Sequence, residues 1–156
     1  MTGTVINTPA GTPFVEVTRE FAATPAQLFK IMTDPDLVAE WLGPRNLDAT
    51  VEEYDVRPGG TYRYIHRDDS GEYAFRGVFH TVEQDKLVIQ TFEWEGAPGE
   101  VCLEKVTLEP TDNGVRLHQQ SVFPSVDARD QSIEYGMESG IHDSMDRLAE
   151  LLAKES

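Results

Sequence analysis

Apolar residues recur at two spacings along this chain, and the change between them marks out its elements. Ile133, Met137, Ile141, Met145, Leu148 and Leu152 advance in steps of three and four, which keeps them on one side of a 3.6-residue helix. A single long helix over residues 128–154 is predicted, with Asp127 as its cap and Asp130 in a first turn where the dipole favours an anion. Gly136, Gly140 and Ser144 run beside the stripe at four-residue intervals. An interior glycine costs about 1 kcal/mol against alanine, so this bare flank implies a close neighbour, either a strand or a bound molecule.

Upstream the period is two. Residues 14–21 (FVEVTREF) alternate apolar and polar positions, as a half-buried strand does. Thr24-Pro25-Ala26-Gln27 combines an N-cap, a first-turn proline and a capping box. Leu28, Phe29 and Met32 form the apolar side of the helix it starts. Asp34-Pro35 repeats the start signal, Leu37, Val38, Trp41 and Leu42 follow, and Gly43-Pro44 ends the second helix. Strand-like runs then cover 47–56, 61–66, 73–82, 86–94, 101–109 and 115–123, separated by short breaks rich in Gly, Pro, Asp and Asn. Breaks of that length join antiparallel neighbours. The prediction is an α+β domain over 13–154: a curved antiparallel β-sheet wrapped around a long C-terminal helix, with two short helices between strands 1 and 2. Gly59-Gly60 and Gly77 are the expected bends or bulges, and residues 1–12 are expected to form a flexible arm.

Strand parity assigns the faces. Tyr62, Tyr64 and His66 share one face against Arg63 and Arg67, so the aromatic face is the inner one. By the same rule Tyr73, Phe75 and Phe79 point inward, as do Gln90, Phe92 and Trp94. Cys102, Glu104, Val106 and Leu108 follow, and then Val115, Leu117, Gln119, Ser121 and Phe123. His80, His118 and His142 fall outside. A sheet wrapped on a helix with a bare flank leaves room for a pocket.

The chain has 156 residues and a formal net charge of −15. A field of that sign repels phosphate backbones and anionic lipid surfaces, so nucleic-acid and membrane roles are set aside. No basic-plus-apolar leader and no apolar run near the ~20 residues of a membrane span is present, and a cytoplasmic protein is expected. The lone cysteine, Cys102, forms no intrachain disulfide and is expected to be a buried, inert thiol. The histidines lack metal-ligand spacing, and no nucleophile elbow, phosphate-cradling loop or dinucleotide fingerprint occurs, so neither metal nor cofactor is expected.

Several short stretches, in this order, carry a family resemblance. They are Arg19-Glu20-Phe21 before Thr24-Pro25-Ala26-Gln27-Leu28-Phe29, Pro35 with Trp41, Pro58-Gly59-Gly60-Thr61-Tyr62-Arg63, Arg76-Gly77-Val78-Phe79, and Gly136-Met137-Glu138-Ser139-Gly140 with Leu148 and Leu152. On these the chain resembles the START/Bet v 1-like (SRPBCC) superfamily with its helix-grip fold, and within it the branch named for the activator of the heat-shock-90 ATPase. The resemblance implies a cavity between sheet and long helix that holds hydrophobic or aromatic molecules. It implies no fixed reaction, since members include carriers, cyclases, stress-response proteins and co-chaperone modules.

The expected function is therefore binding of a small hydrophobic or aromatic ligand. Its walls would be Trp41, Tyr62, Tyr64, Phe75, Phe79, Phe92 and Trp94 from the sheet and second helix, and Met137, Gly140, Ile141 and Met145 from the long helix. His66, Glu104 and Gln119 would orient a polar group, and Trp41 would help gate the mouth. His66 with Glu104 is the one pair suited to acid–base catalysis, which keeps a cyclase, hydratase or hydrolase as the alternative. An interaction module associated with a chaperone is the other. A monomer or weak homodimer is expected.

Overall fold

A computed structural model of the protein describes residues 3–155. Eight strands and four helices follow one another as β1 (Val5–Asn7), β2 (Phe14–Phe21), α1 (Pro25–Thr33), α2 (Pro35–Trp41), β3 (Asp48–Tyr54), β4 (Thr61–Asp68), β5 (Gly71–Glu83), β6 (Leu87–Trp94), β7 (Cys102–Thr111), β8 (Gly114–Val122), α3 (Val126–Glu134) and α4 (Met137–Glu155). The strands form one antiparallel sheet in the order β1-β2-β8-β7-β6-β5-β4-β3. The five hairpins from β3 to β8 make a meander, and β2 returns to pair with β8 along its whole length. This is the helix-grip architecture expected from the sequence, with one more strand.

Thr24 builds the capping box of α1: Gln27 N donates to its Oγ1 at 3.1 Å, and Thr24 N donates to Gln27 Oε1 at 2.8 Å. Asp34 then serves twice. Its backbone N–H closes α1 on Lys30 O, and its side chain accepts from Asp36 N to open α2. One residue thus turns the chain between two short helices, each opened by a proline whose missing N–H costs nothing there.

The predicted long helix is two helices. Tyr135 caps α3, and Gly136 takes φ +92°, a left-handed backbone that ends a helix and that glycine adopts without a Cβ penalty. The N-cap is Ser125, whose side chain accepts from Ala128 N, with Asp127 inside the first turn. Gly136 therefore belongs to a break, and only Gly140 and Ser144 lie on the flank of α4. Their close neighbour is neither strand nor open space. It is the loop after α2: a Cβ on Gly140 would sit 3.5 Å from Pro44 Cγ, and Gly43 N donates to Ser144 Oγ at 2.8 Å.

Two further expectations change. Val5–Asn7 of the supposed arm pairs with β2 as an edge strand, and Thr4 Oγ1 accepts from Arg19 Nη1, so the arm is docked there; residues 1–2 lie outside the described residues. The bulges fall between Val51 and Glu53 and between Phe79 and Thr81, not at the glycines. Gly77 instead makes room for a ring, since a Cβ there would lie 2.6 Å from Tyr62 Cζ.

The core is asymmetric, and this positions the site. Met145, Leu148, Leu151 and Leu152 of α4 pack with Val15, Val17 and Phe21 of β2, Val115 and Leu117 of β8, and Val106 and Leu108 of β7. Burial of those four helix side chains contributes on the order of 8 kcal/mol gross. A second cluster on the other half of the sheet gathers Tyr62, Tyr64, Phe79 and Val88, with Phe75 and Phe92 half-buried beside them. The C-terminal half of α4 is thus clamped to β2, β8 and β7, while its N-terminal half stands off β4, β5 and β6.

Candidate functional site

The gap left by that asymmetry is a cavity of about 760 Å³ between the sheet and α4. Its volume lies within the range of small-molecule sites. Exposed residues among its lining, Asn46, Asp68, Trp94 and Tyr135, mark the opening. Tyr62 and Phe79, 2% and 1% exposed, close the far end.

One wall is a series of stacked rings. Tyr62 stacks on Tyr64 with centroids 6.0 Å apart, Tyr64 on Phe75 at 5.3 Å, and Phe75 on Phe92 at 5.3 Å. The register explains the series: Tyr64 pairs with Phe75 across β4 and β5, and Phe75 with Trp94 across β5 and β6. Cross-strand neighbours on one face lie within ring-stacking reach. Tyr54 of β3 adds an edge-on contact to Phe79.

At the closed end stands a polar cluster about Glu104. Ser121 Oγ donates to its Oε2 at 3.1 Å, Gln119 Nε2 to the same oxygen at 3.3 Å, and Gln90 Nε2 to Oε1 at 3.4 Å. Gln90 also reaches the Tyr62 hydroxyl, which donates to Thr91 O at 2.6 Å. Glu104 pairs with Gln90 on β6 and with Ser121 on β8, so three adjacent strands present these groups to one spot. Burial pushes the Glu104 carboxyl up to about 7, against the opposing effect of the Ser121 and Gln90 hydrogen bonds.

His66 occupies another part of the wall. It is 5% exposed, its Nδ1 has no hydrogen-bond partner, and its ring packs against Tyr64 and Phe75. Burial, helped by the charge of Arg147, pulls its pKa down to about 4, so it is neutral near pH 7. Arg147 itself donates to the carbonyl oxygens of Glu40, Leu42, Gly43 and Pro44, pinning the loop that covers His66.

All fourteen wall residues expected from the sequence line this cavity: Trp41, Tyr62, Tyr64, His66, Phe75, Phe79, Phe92, Trp94, Glu104, Gln119, Met137, Gly140, Ile141 and Met145. Two expected arrangements differ. Trp41 is wall and not gate: it is 6% exposed, and its Nε1 donates to Ile31 O at 3.1 Å. His66 and Glu104 do not form a couple. They lie on β4 and β7, three strand spacings or roughly 14 Å apart across the sheet, and each has different neighbours. Sequence parity placed Gln90 and Ser121 on the inner face without marking them as partners of Glu104. Tyr54 escapes simple alternation, because a bulge between Val51 and Glu53 shifts the register of β3. Tyr135 escapes the periodic pattern, because the apolar stripe runs on through the break at Tyr135 and Gly136. Among the described residues no three His, Cys, Asp or Glu side chains gather as metal ligands, and no helix is long and apolar enough to cross a membrane.

The family model described as activator of Hsp90 ATPase homolog 1-like protein matches residues 22–153. The chain belongs to that family. Solved structures agree with its fold. A Rhodobacter sphaeroides protein is 25% identical over 97% of this chain and 99% of its own, with a TM-score of 0.88. An Arthrobacter aurescens protein is 24% identical, covers 96% of this chain and 91% of its own, and also has a TM-score of 0.88. A Mycobacterium smegmatis protein is 24% identical, with 95% of each chain covered and a TM-score of 0.86. No curated protein matches the chain. Likeness at this level shows the architecture and leaves the occupant of the cavity to its chemistry.

Proposed function

We propose that this family member binds a small, mostly apolar ligand in the cavity between its sheet and α4. One observation carries the proposal: about 760 Å³ is left open where four rings stack in series on the half of the sheet whose aromatic cluster includes no residue of α4. An empty apolar space forfeits dispersion contacts and transfer energy that a ligand would restore. The polar groups are few and cross-bonded, as in sites where apolar walls supply affinity and sparse anchors supply orientation.

Trp41 and Trp94 both line the space, so intrinsic fluorescence reports occupancy. Titration with naphthalene is expected to give a saturable change, and native mass spectrometry of the purified protein to show a retained small molecule. Placing bulk in the cavity with Ser121→Phe should abolish the fluorescence change while circular dichroism is kept. A linear, unsaturable response unaffected by that substitution would remove the binding function. It would leave the outer surface, and with it the activator-like role for which the family is named, as the alternative.

A further inference from the structure

Glu104 is a half-buried acid on the cavity wall, with donors around it and no cation. Its two oxygens accept from Ser121, Gln119 and Gln90 at 3.1–3.4 Å. A carboxylate offers about four acceptor positions, so the cluster leaves a position open toward the cavity. Among the described residues no lysine or arginine lines the space. Arg147, whose charge reaches His66, is committed to four backbone carbonyls. Buried carboxylates are ordinarily matched by a cation or held neutral, because an unpaired charge in an apolar interior is costly. Three neutral donors orient this carboxyl without cancelling its charge.

The surroundings also favour positive charge. The faces of Tyr62, Tyr64, Phe75 and Phe92 form the adjoining wall, and an aromatic face attracts a cation. The formal net charge of −15 draws cations toward the molecule and turns anions away. A carboxylate-headed ligand would meet a second carboxylate at the closed end and no cation along the wall.

We propose that the cavity selects apolar ligands carrying a protonated amine, with Glu104 as the counter-ion, and rejects ligands headed by a carboxylate. This rests on the ligand-binding function above and names its ligand class. Burial holds the empty-site carboxyl near 7, so an arriving ammonium draws Glu104 into its ionised form.

Three probes of one shape test it: naphthalene, naphthylmethylamine and naphthylacetate, titrated near neutral pH into the wild type and Glu104→Gln by calorimetry and tryptophan fluorescence. The amine should bind about 10-fold tighter than naphthalene and the carboxylate at least about 10-fold weaker. E104Q should erase the preference for the amine over naphthalene. If none of the three binds, the ligand-binding function itself falls. If naphthalene binds and the amine gains nothing, or the carboxylate binds as well as naphthalene, amine selectivity is overturned and ligand binding stands. An amine preference that survives E104Q overturns the role of Glu104. Should E104Q fail to fold, the carboxyl-carbon NMR signal of Glu104 in the wild type decides. The amine must lower its titration midpoint and naphthalene must not, and an unmoved midpoint overturns the proposal.

Discussion

Gly43 lies against the imidazole of His66 so closely that no larger residue fits at position 43. A Cβ there would stand 2.5 Å from His66 Nε2, and the backbone has φ +93°. The contact seals the loop after α2 over the cavity wall, and the Gly43 N–H bond to Ser144 ties the same loop to α4. Gly43→Ala is expected to cost roughly 2–4 kcal/mol, from the left-handed backbone and the clash together. His66→Ala in the same chain should recover the clash and leave the backbone part. Urea denaturation of the two single variants and the double variant gives the coupling, and a coupling near zero would show that the ring is not what excludes the methyl.

His66 and Glu104 make opposing contributions to the pH dependence of stability. His66 has a folded pKa of about 4, below its ordinary 6.5. The unfolded chain therefore takes up the proton first, and this contribution is lost as pH falls from 6.5 through 4. Glu104 has a folded pKa of about 7, above its ordinary 4.5. Its contribution is complete below 4.5 and is lost as pH rises through 7. Between these limits the two slopes oppose. The neighbours of Glu104, namely Tyr54, Tyr62, Tyr64 and Cys102, are all raised and stay neutral throughout that window. Relative to the wild type, thermal midpoints of Glu104→Gln should climb more steeply from pH 4 to pH 7. Those of His66→Gln should climb less.

Gly136, in the break before α4, and Gly140, in its first turn, should respond in opposite directions. Gly136 is left-handed with open space where a Cβ would go, so Gly136→Ala loses about 1 kcal/mol through its backbone alone. Gly140 is helical and would bring a Cβ to ordinary contact with Pro44, so Gly140→Ala gains up to about 1 kcal/mol. Denaturation midpoints moving the same way would contradict the break at Tyr135 and Gly136.

Arg19 is 6% exposed, and its Nη1 donates to Asp146 Oδ1 at 2.6 Å while its Nε has no partner. Asp146 is 53% exposed, which limits what the pair contributes. Asp146→Ala leaves a buried guanidinium half-answered and is expected to cost about 1–2 kcal/mol. Arg19→Met removes the charge along with its need for a partner and should cost less than Asp146→Ala. The reverse order in urea melts would mean that the ion pair is net stabilising.

Cys102 is 4% exposed, and burial next to Glu104 and Glu100 pushes its thiol up to about 12. Only the thiolate attacks an alkylating reagent. Iodoacetamide should therefore label the folded protein slowly, at a rate that follows global unfolding across a urea series. Labelling independent of urea would place the thiol within reach of solvent in the folded state.

Much of this molecule follows from local rules that its sequence states outright. Period two identifies the strands from β2 to β8, the Thr24 and Asp34 signals open α1 and α2 where they occur, and side-chain alternation sends Tyr62, Tyr64, His66, Phe75, Glu104 and Gln119 to the inner face. These succeed because backbone hydrogen bonding and burial act over a few residues. Position along a strand then decides which face a side chain takes. The same rules overran the boundary at Gly136. The apolar stripe continues through both α3 and α4, and periodicity does not register a single residue that turns left-handed within it. They also put Val5–Asn7 in a flexible arm, because a three-residue edge strand owes its existence to β2.

What only the tertiary structure decided is which inner-face residues meet. His66 and Glu104 share a face by alternation, yet two strands lie between theirs. Glu104 finds Gln90, Gln119 and Ser121 because β6, β7 and β8 bring them together in register. The clamp of α4 on β2, β8 and β7, and the space it leaves before β4, β5 and β6, likewise depend on contacts between residues far apart in the chain. A side chain's face is a property of its own strand. Its partners, and whether the space beside it is filled, are properties of how the whole sheet curls.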